Sequence, residues 1–259
     1  MDKKTISRDG TELAYARAGQ GPAVILVSGA MSTGGTVAPV GGLLARRFTV
    51  LWYDRRGRGG SGDTAPFAVE REVEDLAALI DVAGGEASLY GISSGGALVL
   101  RAAASGLPVR RAAVYETPYA VDEEAARARA EYTERLTEAL AQGRRGDAVE
   151  LFLRLTGLAE EMIQRARQSP MWDGMEAIAP TLAYDDAVMA GGLVPRELLA
   201  AVGVPVLAVA GGDSPAWMRE ATRAVAEAAP RGTYELLEGQ THMVDPNVLA
   251  PVLEDFFSQ

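Results

Sequence analysis

The chain has 259 residues, 48% of them hydrophobic, with a net charge of -10 at pH 7, one histidine and no cysteine. That length supports one large core, or a core with a lid, and the acidic balance argues against nucleic acid and against acidic membrane surfaces, both of which demand a basic face. The absence of cysteine excludes disulfides, thiolate metal sites and cysteine nucleophiles. The first ten residues lack the apolar centre of a signal peptide, and no later run approaches the roughly 20 apolar residues of a membrane span, so a cytoplasmic location is expected.

Thr5-Ile6-Ser7 and Glu12 to Arg17 alternate around Asp9-Gly10 and read as a hairpin. Ala23 to Val27 is a continuous apolar run, the pattern of a strand buried on both faces. A short helix is predicted over Gly41 to Arg47 and a second buried strand over Phe48 to Tyr53. Apolar positions at Val73, Leu76, Ala77 and Ile80 recur at helical spacing, and Gly84-Gly85 stops that helix. Then comes Ala87-Ser88-Leu89-Tyr90-Gly91-Ile92-Ser93-Ser94-Gly95-Gly96, an apolar strand, a sharp turn and the start of a helix that runs to about Ser105. Val109 to Tyr115 is a further strand, ending in Glu116-Thr117-Pro118.

Residues 121–192 break this rhythm. They are rich in Ala, Glu and Arg and read as helices over Asp122 to Gln142, Asp147 to Thr156, Ala159 to Gln168 and Pro180 to Met189. Strand-helix alternation returns with Val206 to Ala210, a helix over Ala216 to Ala229, a strand over Thr233 to Leu237 and a last helix over Pro246 to Phe257. The expected fold is therefore α/β: a mostly parallel eight-stranded sheet, opened by an antiparallel hairpin, with helices on both faces. Residues 1–120 and 193–259 would form its core domain, and residues 121–192 a helical lid inserted after the sixth strand.

In such a sheet, ligands bind outside the carboxyl ends of the strands. Gly91-x-Ser93-x-Gly95 fits a nucleophile elbow, in which a strained strand-to-helix corner exposes a serine hydroxyl while flanking glycines leave it room. His242, the sole histidine, lies in the loop after the last strand and is the only imidazole able to serve Ser93 as base. Two carboxylates could orient it: Glu116 at the end of the sixth strand, and Asp213 after the strand that follows the lid. The amides of Ala30, in the turn after the third strand, and of Ser94, first in the helix after the elbow, would form a two-donor oxyanion hole. Gly57-Arg58-Gly59-Gly60-Ser61-Gly62 matches a dinucleotide fingerprint but follows three charged residues and does not open a helix directly, so no cofactor is expected. Acidic pairs such as Asp185-Asp186 have no metal-ligand spacing and read as solvated helix faces; no metal is expected.

Taken together, the hairpin opening, the Ser28-Gly29 turn, Tyr53-Asp54-Arg55-Arg56-Gly57-Arg58-Gly59, the Gly91-Ile92-Ser93-Ser94-Gly95-Gly96 elbow, the helical insertion and the terminal His242 resemble the α/β-hydrolase superfamily over nearly the whole chain. The resemblance implies a Ser-acid-His enzyme without cofactor, working through an acyl-enzyme in its esterase-like members. Two departures stand out. Many members have His-Gly where this chain has Ser28-Gly29, and Gly211-Gly212-Asp213-Ser214-Pro215 sets its aspartate one residue earlier than the usual pattern. Some haloalkane dehalogenases of the superfamily take their acid from the end of the sixth strand, which favours Glu116 over Asp213 here; Ser93 in place of their aspartate nucleophile separates this chain from them.

The reading that follows is a serine hydrolase cleaving an ester, thioester or lactone of a small apolar acyl compound. The lid would offer Met162, Met171, Trp172, Met175, Leu182, Tyr184 and Met189 to pocket walls or to its own core. A cofactor-free haloperoxidase-like perhydrolase on the same triad, and a catalytically silent binding protein, are the alternatives. The expected partner is a small-molecule substrate, with no nucleic acid and no membrane.

Overall fold

A computed structural model describes residues 1–259. Its strands are Lys3–Ile6 (β1), Glu12–Ala18 (β2), Ala23–Val27 (β3), Thr49–Tyr53 (β4), Ala87–Ile92 (β5), Val109–Tyr115 (β6), Val206–Gly211 (β7) and Gly232–Leu237 (β8). They form one sheet in the order β1-β2-β4-β3-β5-β6-β7-β8. The β1–β2 and β2–β4 pairs are antiparallel and every other pair is parallel, as a hairpin opening followed by crossover connections requires.

Residues along the parallel strands divide between two cores with the period of two that a pleated strand imposes. Ile25, Val27, Leu51, Leu89, Ala112, Val114 and Ala208 face one layer of helices. Val24, Leu26, Val50, Tyr90, Ala113, Tyr115, Leu207 and Val209 face the other. The first layer holds Val69–Ala83 (α2), Ser94–Ala104 (α3) and Ala216–Ala228 (α10); the second holds Ala38–Leu44 (α1) and Pro246–Ser258 (α11). Both faces being covered explains why these strands read as unbroken apolar runs, and each fully buried aliphatic contributes about 1.5–3 kcal/mol.

Between β6 and β7 lie Glu123–Ala141 (α4), Arg145–Leu155 (α5), Glu160–Arg167 (α6), Trp172–Ile178 (α7), Leu182–Met189 (α8) and Arg196–Ala200 (α9). A bridge pairs Ala120 with Leu193, and the Ala120 amide donates to the Gly192 carbonyl at 2.6 Å, so the chain leaves and re-enters the sheet at one neck. The inserted helices have their own apolar centre, built on Tyr132, Leu136, Val149, Trp172 and Leu182, against which Ala30 and Met31 also pack.

Three local readings differ from the structure. α1 begins at Ala38, three residues before the predicted start, because Pro39 suits the first helical turn and Gly41 leaves room where a Cβ would stand 2.9 Å from the Trp52 ring. α7 and α9 are too short to show a period and were not predicted. No helix is long and apolar enough to cross a membrane.

Candidate active site

The corner between β5 and α3 is built as the sequence pattern requires. Ser93 has φ 57° and ψ -130°, a region that side-chain-bearing residues rarely occupy. A side chain at Gly91 would run into the Gly95 carbonyl, and one at Gly95 would stand 2.5 Å from the Ser28 carbonyl, so only glycine allows α3 to leave the strand this steeply. Four non-glycine residues have positive φ: Met31, Ser93, Glu116 and Ala190. Three of them, Met31, Ser93 and Glu116, lie just beyond the carboxyl ends of the central strands β3, β5 and β6, which marks that end of the sheet as the place where backbone strain is held.

The strand register brings the next group in. Ile92 pairs with Tyr115, and the Ser93 amide donates to the Tyr115 carbonyl at 2.9 Å, so Ser93 and Glu116 stand side by side at the ends of neighbouring strands. Glu116 is fully buried. Its Oε1 accepts the Gly211 amide at 2.8 Å and its Oε2 lies 2.8 Å from His242 Nδ1. A buried carboxylate left without partners would cost several kcal/mol; here both oxygens are engaged. The His242 loop is further tied down by the Tyr115 hydroxyl, which donates to the Thr241 carbonyl at 2.6 Å, and by the Asp213 amide, which donates to the Gln240 carbonyl at 2.9 Å. Burial raises the Tyr115 phenol, so it stays a neutral donor.

Of the two candidate acids, the structure joins Glu116 to His242 and leaves Asp213 out. The Asp213 side chain is exposed and has no hydrogen-bond or ion-pair partner. The cause is the turn after β7: the main chain of Asp213 bonds the histidine loop and its carboxylate is turned to solvent. His242 is 38% exposed, and Glu116 is its one hydrogen-bond partner, through Nδ1. Its Nε2 and the Ser93 hydroxyl are not hydrogen-bonded to each other or to any other protein group.

On the other side of Ser93 is the turn after β3. A Cβ at Gly29 would fall 2.9 Å from Ser93 Cβ and 3.5 Å from its Oγ, so Gly29 is pressed against the hydroxyl. The Gly29 carbonyl accepts from Arg58 Nη1 at 2.6 Å and from Ser32 Oγ at 2.7 Å. Ser94 begins α3, whose first amides have no partner within the helix, while its hydroxyl is buried and donates to Asp185 Oδ1 at 2.8 Å. Of the two adjacent serines, then, Ser93 alone has a hydroxyl free to react.

Asp185 is the residue the sequence misread. It comes from α8 and, far from being a solvated face, is 4% exposed. Arg55 Nη1 reaches its Oδ1 and Arg58 Nη2 its Oδ2, both at 2.7 Å. Arg55 also makes a two-point pair with Glu72, each contact 2.7 Å. Two guanidiniums and two carboxylates thus form a neutral buried quartet. Burial by itself would raise the Asp185 carboxyl, but Arg58 and Arg55 outweigh it and hold it below the ordinary aspartate range. Its neighbour Asp186 faces the insertion, accepting from Arg129 at 3.2 Å and Thr133 at 2.7 Å. The only signal available was the run Arg55-Arg56-Gly57-Arg58, since arginines directly after a buried strand demand buried acids.

The inserted helices use most of the apolar side chains they were expected to offer. Trp172 and Leu182 are in the insertion's own core and Met189 is in the main one, whereas Met162 and Met171 are exposed.

A sheet with this order, a strained serine after β5 and a histidine loop after β8 define the class. A sequence model of the alpha/beta hydrolase family matches residues 24–252, and the chain belongs to that family. An alpha/beta hydrolase from Sphaerobacter thermophilus DSM 20745 is 50% identical, with 98% of this chain and 100% of that one covered and a TM-score of 0.89. A thermophilic esterase from Thermogutta terrifontis is 24% identical over 99% and 97% of the two chains, TM-score 0.74. The enol-lactonase from Burkholderia xenovorans LB400 is 23% identical over 99% and 100%, TM-score 0.71. The last two are likenesses of fold.

Proposed function

We propose that this protein is a serine hydrolase that cleaves an ester, thioester or lactone of a small apolar acyl compound through an acyl-enzyme. Ser93 Oγ attacks the carbonyl carbon as His242 Nε2 takes its proton; Glu116 accepts the Nδ1 hydrogen, fixing the tautomer and stabilising the imidazolium. The carbonyl oxygen gains its charge against the amides of Ala30 and Ser94, each such donor being worth about 3 kcal/mol. Collapse expels the alcohol or thiol, which takes the proton back from His242. Water then repeats the sequence on the acyl-Ser93 ester, releasing the acid. Residues 121–192 serve as the lid over this edge of the sheet, since their core packs on Ala30 and Met31 beside the proposed hole.

The observation that carries the reading is the 2.8 Å contact of His242 Nδ1 with a fully buried Glu116, one strand away from a serine on a strained corner. Its test is labelling with a fluorophosphonate and mapping of the adduct, alongside turnover of a panel of short-chain p-nitrophenyl esters, acyl thioesters and lactones. Labelling at Ser93 and loss of all turnover in Ser93→Ala are expected. Folded protein that resists the phosphonate and is silent on the panel would defeat the proposal.

A further inference from the structure

We infer that Arg58 and Asp185 are a positioning pair for the oxyanion hole, so that a carboxylate from the helical insertion holds both of its amides in place; this rests on the function proposed above.

The argument begins with the Gly29–Ala30 peptide. In a trans peptide the carbonyl and the N–H point in opposite directions, so whatever fixes the Gly29 oxygen fixes the direction of the Ala30 N–H. Two donors fix it: Arg58 Nη1 at 2.6 Å and Ser32 Oγ at 2.7 Å. With the carbonyl held on the side of Arg58 and Ser32, the Ala30 N–H faces the opposite way, in a turn that packs against the Ser93 side chain. Flipped, the same peptide would present an oxygen to the developing oxyanion, replacing attraction with repulsion.

Arg58 holds that oxygen only because it is itself held. It is 1% exposed, and the one carboxylate it pairs with is Asp185. The same carboxylate accepts the Ser94 hydroxyl, which anchors the residue that supplies the second amide. One aspartate therefore reaches both donors, one directly and the other through a single guanidinium. It lies on α8, in the insertion, whereas Ala30 lies in the turn after β3 and Ser94 opens α3, both part of the sheet's own framework. Docking of the insertion is accordingly coupled to the geometry of the hole.

The test uses Arg58→Gln and Asp185→Asn in the full chain. The expected result is a fall in kcat of about 10²-fold on a p-nitrophenyl ester with KM changed less than threefold, because the hole acts on the transition state. Binding of an alkyl boronic acid, whose tetrahedral adduct occupies the hole, should weaken in parallel with kcat. A merely structural role would lower the melting temperature without that proportionality. Crystal structures of both variants give a reading independent of turnover: a rotated or disordered Gly29–Ala30 peptide supports the inference. A peptide unmoved in both, or unchanged kcat in folded variants, overturns it. If Arg58→Gln does not fold, Asp185→Asn, which keeps the side chain's shape, carries both measurements. If wild-type protein hydrolyses nothing and resists phosphonate, the proposed function fails and the oxyanion-hole role with it, whereas an unmoved peptide in an active enzyme overturns this inference alone.

Discussion

Changing Glu116 to Gln isolates the role of the buried carboxylate with hardly any change of volume. Each Glu116 oxygen now accepts one hydrogen, from the Gly211 amide and from His242 Nδ1, both at 2.8 Å. A glutamine offers one acceptor oxygen and one donor nitrogen, so it cannot accept at both ends as the carboxylate does. If its NH2 faces Gly211, two donors oppose each other at a buried amide, at a cost of about 1–3 kcal/mol. If it faces His242, the ring need only move its proton from Nδ1 to Nε2, and both contacts survive. The second arrangement wins, and it leaves Nε2 protonated and unable to take the Ser93 proton. The expected loss in kcat is about 10⁴-fold, equivalent to about 5.5 kcal/mol, with KM and folding largely retained. Steady-state hydrolysis of a p-nitrophenyl ester, checked by circular dichroism and a thermal melt, measures it. Asp213→Asn is the matched control and should stay within twofold of wild type, since that side chain is exposed and has no hydrogen-bond or ion-pair partner. A Glu116→Gln protein within tenfold of wild type, or an equal loss in Asp213→Asn, would refute the assignment of the acid.

The sequence revealed what is settled locally and concealed what depends on long-range pairing. The Ser93 corner was legible because its steric demands fall on Gly91 and Gly95, within two residues of it. The parallel strands were legible because burial on both faces removes polar residues from runs such as Val24-Ile25-Leu26-Val27. Glu116 and Asp213 were both in view as partners for His242, and only the register of β6 and the turn after β7 distinguish them. Asp185 was out of reach: its partners Arg55, Arg58 and Ser94 are 130, 127 and 91 residues away. Nothing in its local helix separates a buried acid from a solvated one. The start of α1 was hidden for a related reason, since Gly41-Gly42 weakens a helix in isolation and only the close fit against Trp52 makes it useful.

Stability should hold near neutral pH and fall on acidification below about pH 4. Hydrogen bonds from Arg56 and Thr11 override the effect of burial and lower Asp9 from 3.8 to about 2, and Asp185 is also lowered, so both stabilise the fold above the unfolded-state value and lose that contribution as pH drops through the folded one. Asp75, which burial raises in spite of its bonds to Arg56, works in the opposite sense and softens the loss; urea midpoints from pH 7 to 2.5 measure the balance, and a midpoint that rises below pH 4 would contradict it. Replacing Gly29 with alanine asks whether space beside Ser93 is itself part of the site. The added methyl would stand 2.9 Å from Ser93 Cβ, closer than real Cβ contacts come, and 3.5 Å from the hydroxyl oxygen. Either the elbow or the β3 turn must give way. The elbow is braced by its own glycines and by the Ser93 amide bond to Tyr115, whereas the turn is held mainly by Arg58 and Ser32 on the Gly29 carbonyl. The turn should therefore move, carrying the Ala30 amide with it. Turnover is then expected to fall at least tenfold while phosphonate labelling slows by a comparable factor and the melting temperature drops by only a few degrees. Full activity in Gly29→Ala would mean that the Ala30 amide does not face the reacting oxygen, and the two-donor hole would have to be rebuilt around Ser94 alone.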